Sequence, residues 1–487
     1  MFPFDNSFAR LPPRFFALLP PTAVGAPLLI QLNPALAIDY GIDPDWLASP
    51  EGVAILAGNE VPTGAEPLAA AYAGHQFGHF TPQLGDGRAI LLGEVIDRGG
   101  IRRDIQLKGA GPTPFSRRGD GRAALGPVLR EYLVSEAMAV LGIPTTRALA
   151  ALTTGEAVYR ETALPGAILV RTAASHLRIG SFQYFAARRD VEAVRLLADY
   201  AIRRHYPAAL QARSPILALL EGVIARQAAL VAQWLLIGFI HGVMNTDNMS
   251  IAGETIDYGP CAFLDRYDPA TVYSAIDETG RYAYGNQPAI AQWNLARLAE
   301  ALLPLLAEQE SVAVAQAEQA LAAFPALFEA AYTAGLRRKL GLITDDASDL
   351  ALGQDLLDIM AEQRADFTLT FRSLTTAADG DLSEIRKQFI DPTAFDGWLP
   401  RWQARLFTEP DQPVMRHAVM RQANPAIIPR NHLIAEALEA ALQRQDYQPF
   451  RLLLAALADP FSDPPPGSPY VLPPRPEQEV RQTFCGT

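Results

Sequence analysis

The stretch from Gly238 to Gly259, GFIHGVMNTDNMSIAGETIDYG, restricts the fold more tightly than any other part of the chain. It places His241 seven residues before Asn248, and Asp257 follows in the triplet Asp257-Tyr258-Gly259. An amide oxygen and a carboxylate are oxygen ligands of the type magnesium prefers. The segment between them, MSIAGETI, reads as a hairpin turning near Ala252-Gly253, which places the two ligands at adjacent strand ends. Asp247 adds a carboxylate directly before Asn248. His241 reads as a structural hydrogen-bonding residue.

A chain of 487 residues can bury a large core, and two closely packed lobes with extensions are expected. Hydrophobic residues at 49% and charged residues at 19% describe a folded protein and exclude a disordered one. The net charge of -12 argues against a general nucleic-acid binder, while leaving room for a local basic pocket for phosphates. The opening MFPFDNSFARLPPRFF lacks the basic-then-apolar pattern of a secretory signal. The longest apolar stretch, Ala228 to Ile240, is interrupted by Gln233 and falls short of the roughly 20 residues of a membrane span; it reads as a buried helix. Two cysteines predict a reducing compartment without a disulfide framework, so the cytoplasm and a monomer are the defaults.

Strand signals come early and helical ones late. AILLGEVI and IRRDIQLK flank the turn Asp97 to Gly100 and predict two strands between Ile90 and Lys108; AILVR, 167 to 171, predicts another. A helix is expected from about Pro127 to Leu141, and helical spacing dominates from Val191 on. Lys108 ends a strand, a position that resembles the third-strand Lys of a protein kinase, and that resemblance implies an acidic partner on the helix that follows. Glu136 shares the stripe of Leu129, Leu133 and Val140, whereas Glu131 lies nearer the helix start, where the macrodipole favours a carboxylate. Periodicity leaves that choice open. Gly85 and Gly87, in QLGDGR, let backbone N–H groups approach a phosphate, with Arg88 as a cation beside them. Arg171 and Arg178 suit a bidentate clamp on a polyphosphate. Cys261 lies four residues past Asp257, and Cys485 third from the end.

This order of residues follows the protein-kinase pattern, in which His-x-Asp precedes a metal-binding Asn and an Asp-Phe-Gly triplet. Val243 stands where that pattern keeps its catalytic Asp. Nearly end to end, moreover, the chain resembles the SelO (selenoprotein O) family, protein adenylyltransferases on a pseudokinase fold. The resemblance is carried by FDNSFARLP, AYAGHQFGHFTPQLGDGRAILLGE, QLKGAGPTPFSRRGDGRAAL, VRTAASHLRIGSF, GVMNTDNMSI and NPAIIPRNHLIAEAL. It implies an α+β, protein-kinase-like two-lobed fold with a mainly helical C-lobe. An N-terminal extension would cover 1–80, the N-lobe 81–165, the C-lobe 166–458 and a Pro-rich tail 459–487. It implies transfer of AMP from ATP to Ser, Thr or Tyr hydroxyls of protein substrates, with pyrophosphate released and ATP bound flipped relative to a kinase. Gly85, Gly87 and Arg88 would hold the nucleotide, and Lys108, Asp120 and Gly121 would contact phosphates and nucleotide. Arg171 and Arg178 would take the γ-phosphate end. Asn248 and Asp257 would bind Mg2+ or Mn2+, and Asp247 would accept the proton. Glu131 would pair with Lys108, Glu136 remaining the alternative. Cys261 and Cys485 fit the family's redox pair. No nucleic acid or membrane partner is implied. Two other readings stand beside this one: a phosphotransferase in which Asp247 replaces the lost base, and a nucleotide-binding scaffold without catalysis.

Overall fold

The computed structural model describes residues 2–410 and 413–484. The β-structure gathers early, as β1 (Phe16–Leu18), β2 (Leu28–Leu32), β3 (Leu68–Ala70), β4 (Gly74–Gln76), β5 (His79–Thr81), β6 (Ala89–Ile96), β7 (Arg102–Lys108), β8 (Ala123–Ala124), β9 (Arg147–Tyr159) and β10 (Ala163–Ala173). One antiparallel sheet runs β1-β3-β6-β7-β10-β9-β2, with β8 paired to β10 off that path, while β4 and β5 form a ribbon of their own. The expected pair between Ile90 and Lys108 is β6 and β7. Residues 1–80 supply both edge strands, β1 and β2. The sequence patterns passed over β9, the longest strand. Its run of alanines has little intrinsic strand preference, but Ala148, Ala150 and Ala151 are fully buried where small side chains fit.

Alternation along β7 divides its side chains between two layers. Ile105 and Leu107 pack with the short helices α1 (Pro34–Asp39), α2 (Pro44–Leu47) and α3 (Pro50–Leu56). Each of these helices begins with Pro and is capped by the side chain of Asn33, Asp43 or Ser49. Gln106 and Lys108 point to the other face, which α4 (Leu125–Val140) covers with Leu129 and Leu133.

Helices dominate the rest: α5 (Ile179–Ala186), α6 (Val191–His205), α7 (Pro215–Leu236), α8 (Gln287–Leu306) and further helices to Ala456. The long apolar α7 has the length and composition of a membrane span; here it is a core helix, with Leu219, Leu220, Val223, Ile224 and Val231 buried. The two-residue strands β11 (Phe239–Ile240) and β12 (Ala262–Phe263) pair antiparallel and close the base of the loop that carries Asp247, Asn248 and Asp257. One expectation is corrected here. MSIAGETI forms no hairpin ladder: Ser250 bridges to Arg178 and Thr255 to Thr145. Its arms spend their backbone hydrogen bonds on neighbouring elements, and Gly253, at φ +78°, turns the chain between them.

Candidate active site

Between the sheet and the helical half lies a cleft of about 740 Å³, within the usual range of small-molecule sites. Lys108, at the end of β7, reaches it from the sheet. Cross-strand register sets Arg171 of β10 opposite Gln106 of β7, and Arg171 Nε donates to Gln106 Oε1 at 2.7 Å. Glu131 of α4 closes the group. Lys108 donates to Glu131 Oε2, and Arg171 Nη1 lies 3.0 Å from Glu131 Oε1. The open choice of partner is thereby resolved. Glu136 points elsewhere, accepting from Arg147 Nε and Nη2, Asn33 and the Ala148 amide at 2.7–2.9 Å. Five residues along a helix rotate a side chain to a different face.

Asp257 gathers the cations. Arg171 Nη1 lies 2.5 Å and Lys108 Nζ 3.3 Å from its Oδ1, and Arg178 Nη1 lies 2.6 Å from its Oδ2. These charges hold the Asp257 carboxyl well below the ordinary carboxylate range in spite of its burial. Its backbone is left-handed at φ +62°, a costly conformation for a residue with a Cβ and one that clusters at functional sites. The ring of His241 fixes the loop as the sequence suggests: its Nε2 donates to Ile256 O at 2.9 Å, and it stacks on Trp234. Asn248 donates from Nδ2 to Val243 O at 2.9 Å, which turns its amide oxygen the other way.

Asp247 lies in a short turn, Thr246–Asn248, and is 6% exposed. Burial pushes its carboxyl up to about 6, against the pull of Arg178. Its Oδ2 accepts from Gln76 Nε2 at 3.1 Å, and Oδ1 has no hydrogen-bond partner. The Gly-rich loop also faces the cleft, with Gly85, Gly87 and Arg88, as do Asp120 and Gly121. Asp120 is tied to Arg160 at 2.8 Å. Cys261 is a buried thiol pushed up to about 11, and Cys485 lies outside the described residues.

Several cleft residues escaped the sequence reading. Asp86, between the two glycines, is 3% exposed and accepts from the Ala70 amide at 3.0 Å and from Gln106 at 3.2 Å. Tyr72 lies under the Arg178 guanidinium, 4.6 Å from its carbon. Gln76 and Phe77 come from the β4–β5 ribbon. Their signal was the segment AYAGHQFGHF, which has no strand or helix period to mark its side chains.

A metal ion fits the donors on one condition. Among the described residues no group of three or more His, Cys, Asp or Glu forms a metal cage. Asn248 and Asp257 supply two oxygen donors, and magnesium commonly takes one or two protein ligands with the rest from phosphates and water. The cleft therefore suits a metal that arrives with a polyphosphate.

A family model described as "Protein adenylyltransferase SelO" matches residues 2–458. Proteins named "Protein nucleotidyltransferase YdiU" align with all of this chain and 99% of their own length. The one from Methylorubrum populi is 66% identical, the one from Bradyrhizobium sp. (strain ORS 278) 64%, and the one from Rhodopseudomonas palustris (strain BisB18) 62%.

Proposed function

Because the chain belongs to the SelO family of protein adenylyltransferases and is a nucleotidyltransferase, we propose that this cleft moves AMP from ATP to Ser, Thr or Tyr hydroxyls of proteins. The observation that carries the reading is the convergence of Lys108, Arg171 and Arg178 on Asp257, next to the buried carboxylate of Asp247. Lys108, Arg171 and Arg178 would offset the charge of a triphosphate, while Asp257 and Asn248 would hold a divalent ion able to offset charge on the phosphoryl oxygens.

On this reading ATP lies turned round relative to a kinase, with the γ-phosphate end toward Arg171 and Arg178 and the α-phosphate toward the acceptor. Gly85, Gly87, Arg88, Asp120 and Gly121 hold the nucleotide. The acceptor oxygen attacks the α-phosphorus, the bond from that phosphorus to the β-bridging oxygen breaks, and pyrophosphate leaves. The hydroxyl proton passes to Asp247, whose raised carboxyl is a better base than an exposed one yet remains mostly ionised at neutral pH. Glu131 holds Lys108 in place. Most of the rate comes from positioning and electrostatics, as is usual in phosphoryl chemistry. We read the sheet, α4 and the loop of Asp247 to Asp257 as a kinase-like arrangement, acting in the cytoplasm.

ATP labelled at the α- or the γ-phosphate, incubated with magnesium and a test protein, decides the matter. Transfer of the α-label alone is expected. Transfer of the γ-label alone means a phosphotransferase, and no transfer of either means a non-catalytic scaffold.

A further inference from the structure

The β4–β5 ribbon grips the turn that carries Asp247 residue by residue. His75 N donates to Thr246 Oγ1 at 2.7 Å, and Phe77 N donates to Asn245 Oδ1 at 3.1 Å. Gln183 of α5 ties both sides, accepting from Thr246 Oγ1 at 2.6 Å and contacting His75 Nδ1 at 2.8 Å. Phe77 holds φ +52°, so the strand ends there with its amide turned toward the turn. Between these two backbone clamps lies Gln76, whose side chain reaches Asp247 Oδ2 at 3.1 Å. Among the described residues, this is the one side-chain hydrogen bond that the Asp247 carboxylate makes. The ribbon also closes on the other oxygen: a Cβ on Gly74 would lie 2.5 Å from Asp247 Oδ1.

Backbone amides at His75 and Phe77 fasten the ribbon to the turn. The Gln76 side chain, which lines the cleft, directs its amide at the Asp247 carboxylate. A base that turns freely about its last bond loses rate, because proton transfer demands a narrow geometry. We propose that Gln76 is a positioning residue for Asp247, fixing the carboxylate through Oδ2 before the acceptor hydroxyl arrives. The inference rests on the reading of Asp247 as proton acceptor.

The test is a double-mutant cycle, Gln76→Leu with Asp247→Ala, assayed with α-labelled ATP, magnesium and casein, and with self-modification as a second acceptor. A hydrogen bond to a charged group predicts a loss of about ten- to a hundred-fold in kcat for Gln76→Leu, at unchanged KM for ATP. In the Asp247→Ala background the same change should cost nothing further. Gln76→Met, of nearly equal size but without the amide donor, should behave like Gln76→Leu, and it serves if the leucine variant does not fold. Thermal unfolding of each variant separates folding loss from rate loss. Wild-type kcat in both Gln76 variants, or an undiminished penalty in the Asp247→Ala background, overturns the positioning role alone. Full activity of Asp247→Ala overturns the proton-acceptor reading, and the role of Gln76 with it.

Discussion

Asp257 is the residue on which the site's electrostatics turn. Three buried or half-buried cations share its two oxygens, so its removal strands positive charge in a poor solvent. Breaking such a cluster from one side costs about 3–5 kcal/mol. Asp257→Ala should therefore lower the melting temperature as well as abolish transfer; a variant that melts like wild type would show that the cluster is solvated. Glu254 gives the opposite case. It accepts from the Ala174 amide at 2.8 Å and lies 3.4 Å from Arg103, yet burial pushes its carboxyl from 4.5 up to about 7. The folded value lies above the unfolded one, so this group's contribution is fully present below about pH 4.5 and is lost as pH rises through about 7. Glu254→Gln should flatten the decline in melting temperature between pH 5 and 8. An equal decline in both proteins would refute the assignment.

At the scale of elements, the loop from Gly109 to Arg122 shows how backbone geometry holds the cleft wall. Gly121 sits at φ +66°, and a Cβ there would come within 2.0 Å of Gly111 O. No side-chain rotation relieves a clash with backbone. Gly121→Ala should displace the loop, lower the melting temperature and raise the KM for ATP several-fold; titration calorimetry with ATP and magnesium measures the binding part directly. Unchanged nucleotide affinity would place the loop outside the binding site. The β6–β7 pair was legible from a short apolar run and a turn signal, and α4 from apolar residues at helical spacing. The strand β9 was not, since its alanines owe their burial to neighbours far along the chain. MSIAGETI failed for a related reason: a turn signal marks a reversal, but it does not say whether the two arms pair with each other or with Arg178 and Thr145.

Across the whole molecule, both terminal regions are built into the fold. Edge strands β1 and β2 come from the start, and the tail returns to the segment after Asp257. Thr483 Oγ1 donates to Pro260 O at 2.5 Å, and its amide donates to Tyr273 O at 2.7 Å. Pro260 adjoins Cys261, and Cys485 lies two residues beyond Thr483. We read Cys261 and Cys485 as a redox pair. Intact mass with and without dithiothreitol should differ by two hydrogens, Cys261→Ser should remove that difference, and activity should follow the reduced form. Identical masses would dismiss the pair.

The sequence alone supplied part of the candidate site's inventory, namely two oxygen donors, a carboxylate between His241 and Asp257, the Gly-rich loop, and the cations Lys108, Arg171 and Arg178 in chain order, while Tyr72, Gln76, Phe77 and Asp86 emerged only from the structure. The former are local facts, set by residue type and spacing. Only the tertiary structure decided which of them meet. Lys108 and Asp257 stand 149 residues apart, yet one strand end and one loop bring them to 3.3 Å. The choice of Glu131 over Glu136 depends on which face of α4 the sheet covers, and the role of Gln76 depends on a ribbon docked 171 residues from the turn it touches. Periodicity reports which side of an element is buried; it carries no information about what is buried against it.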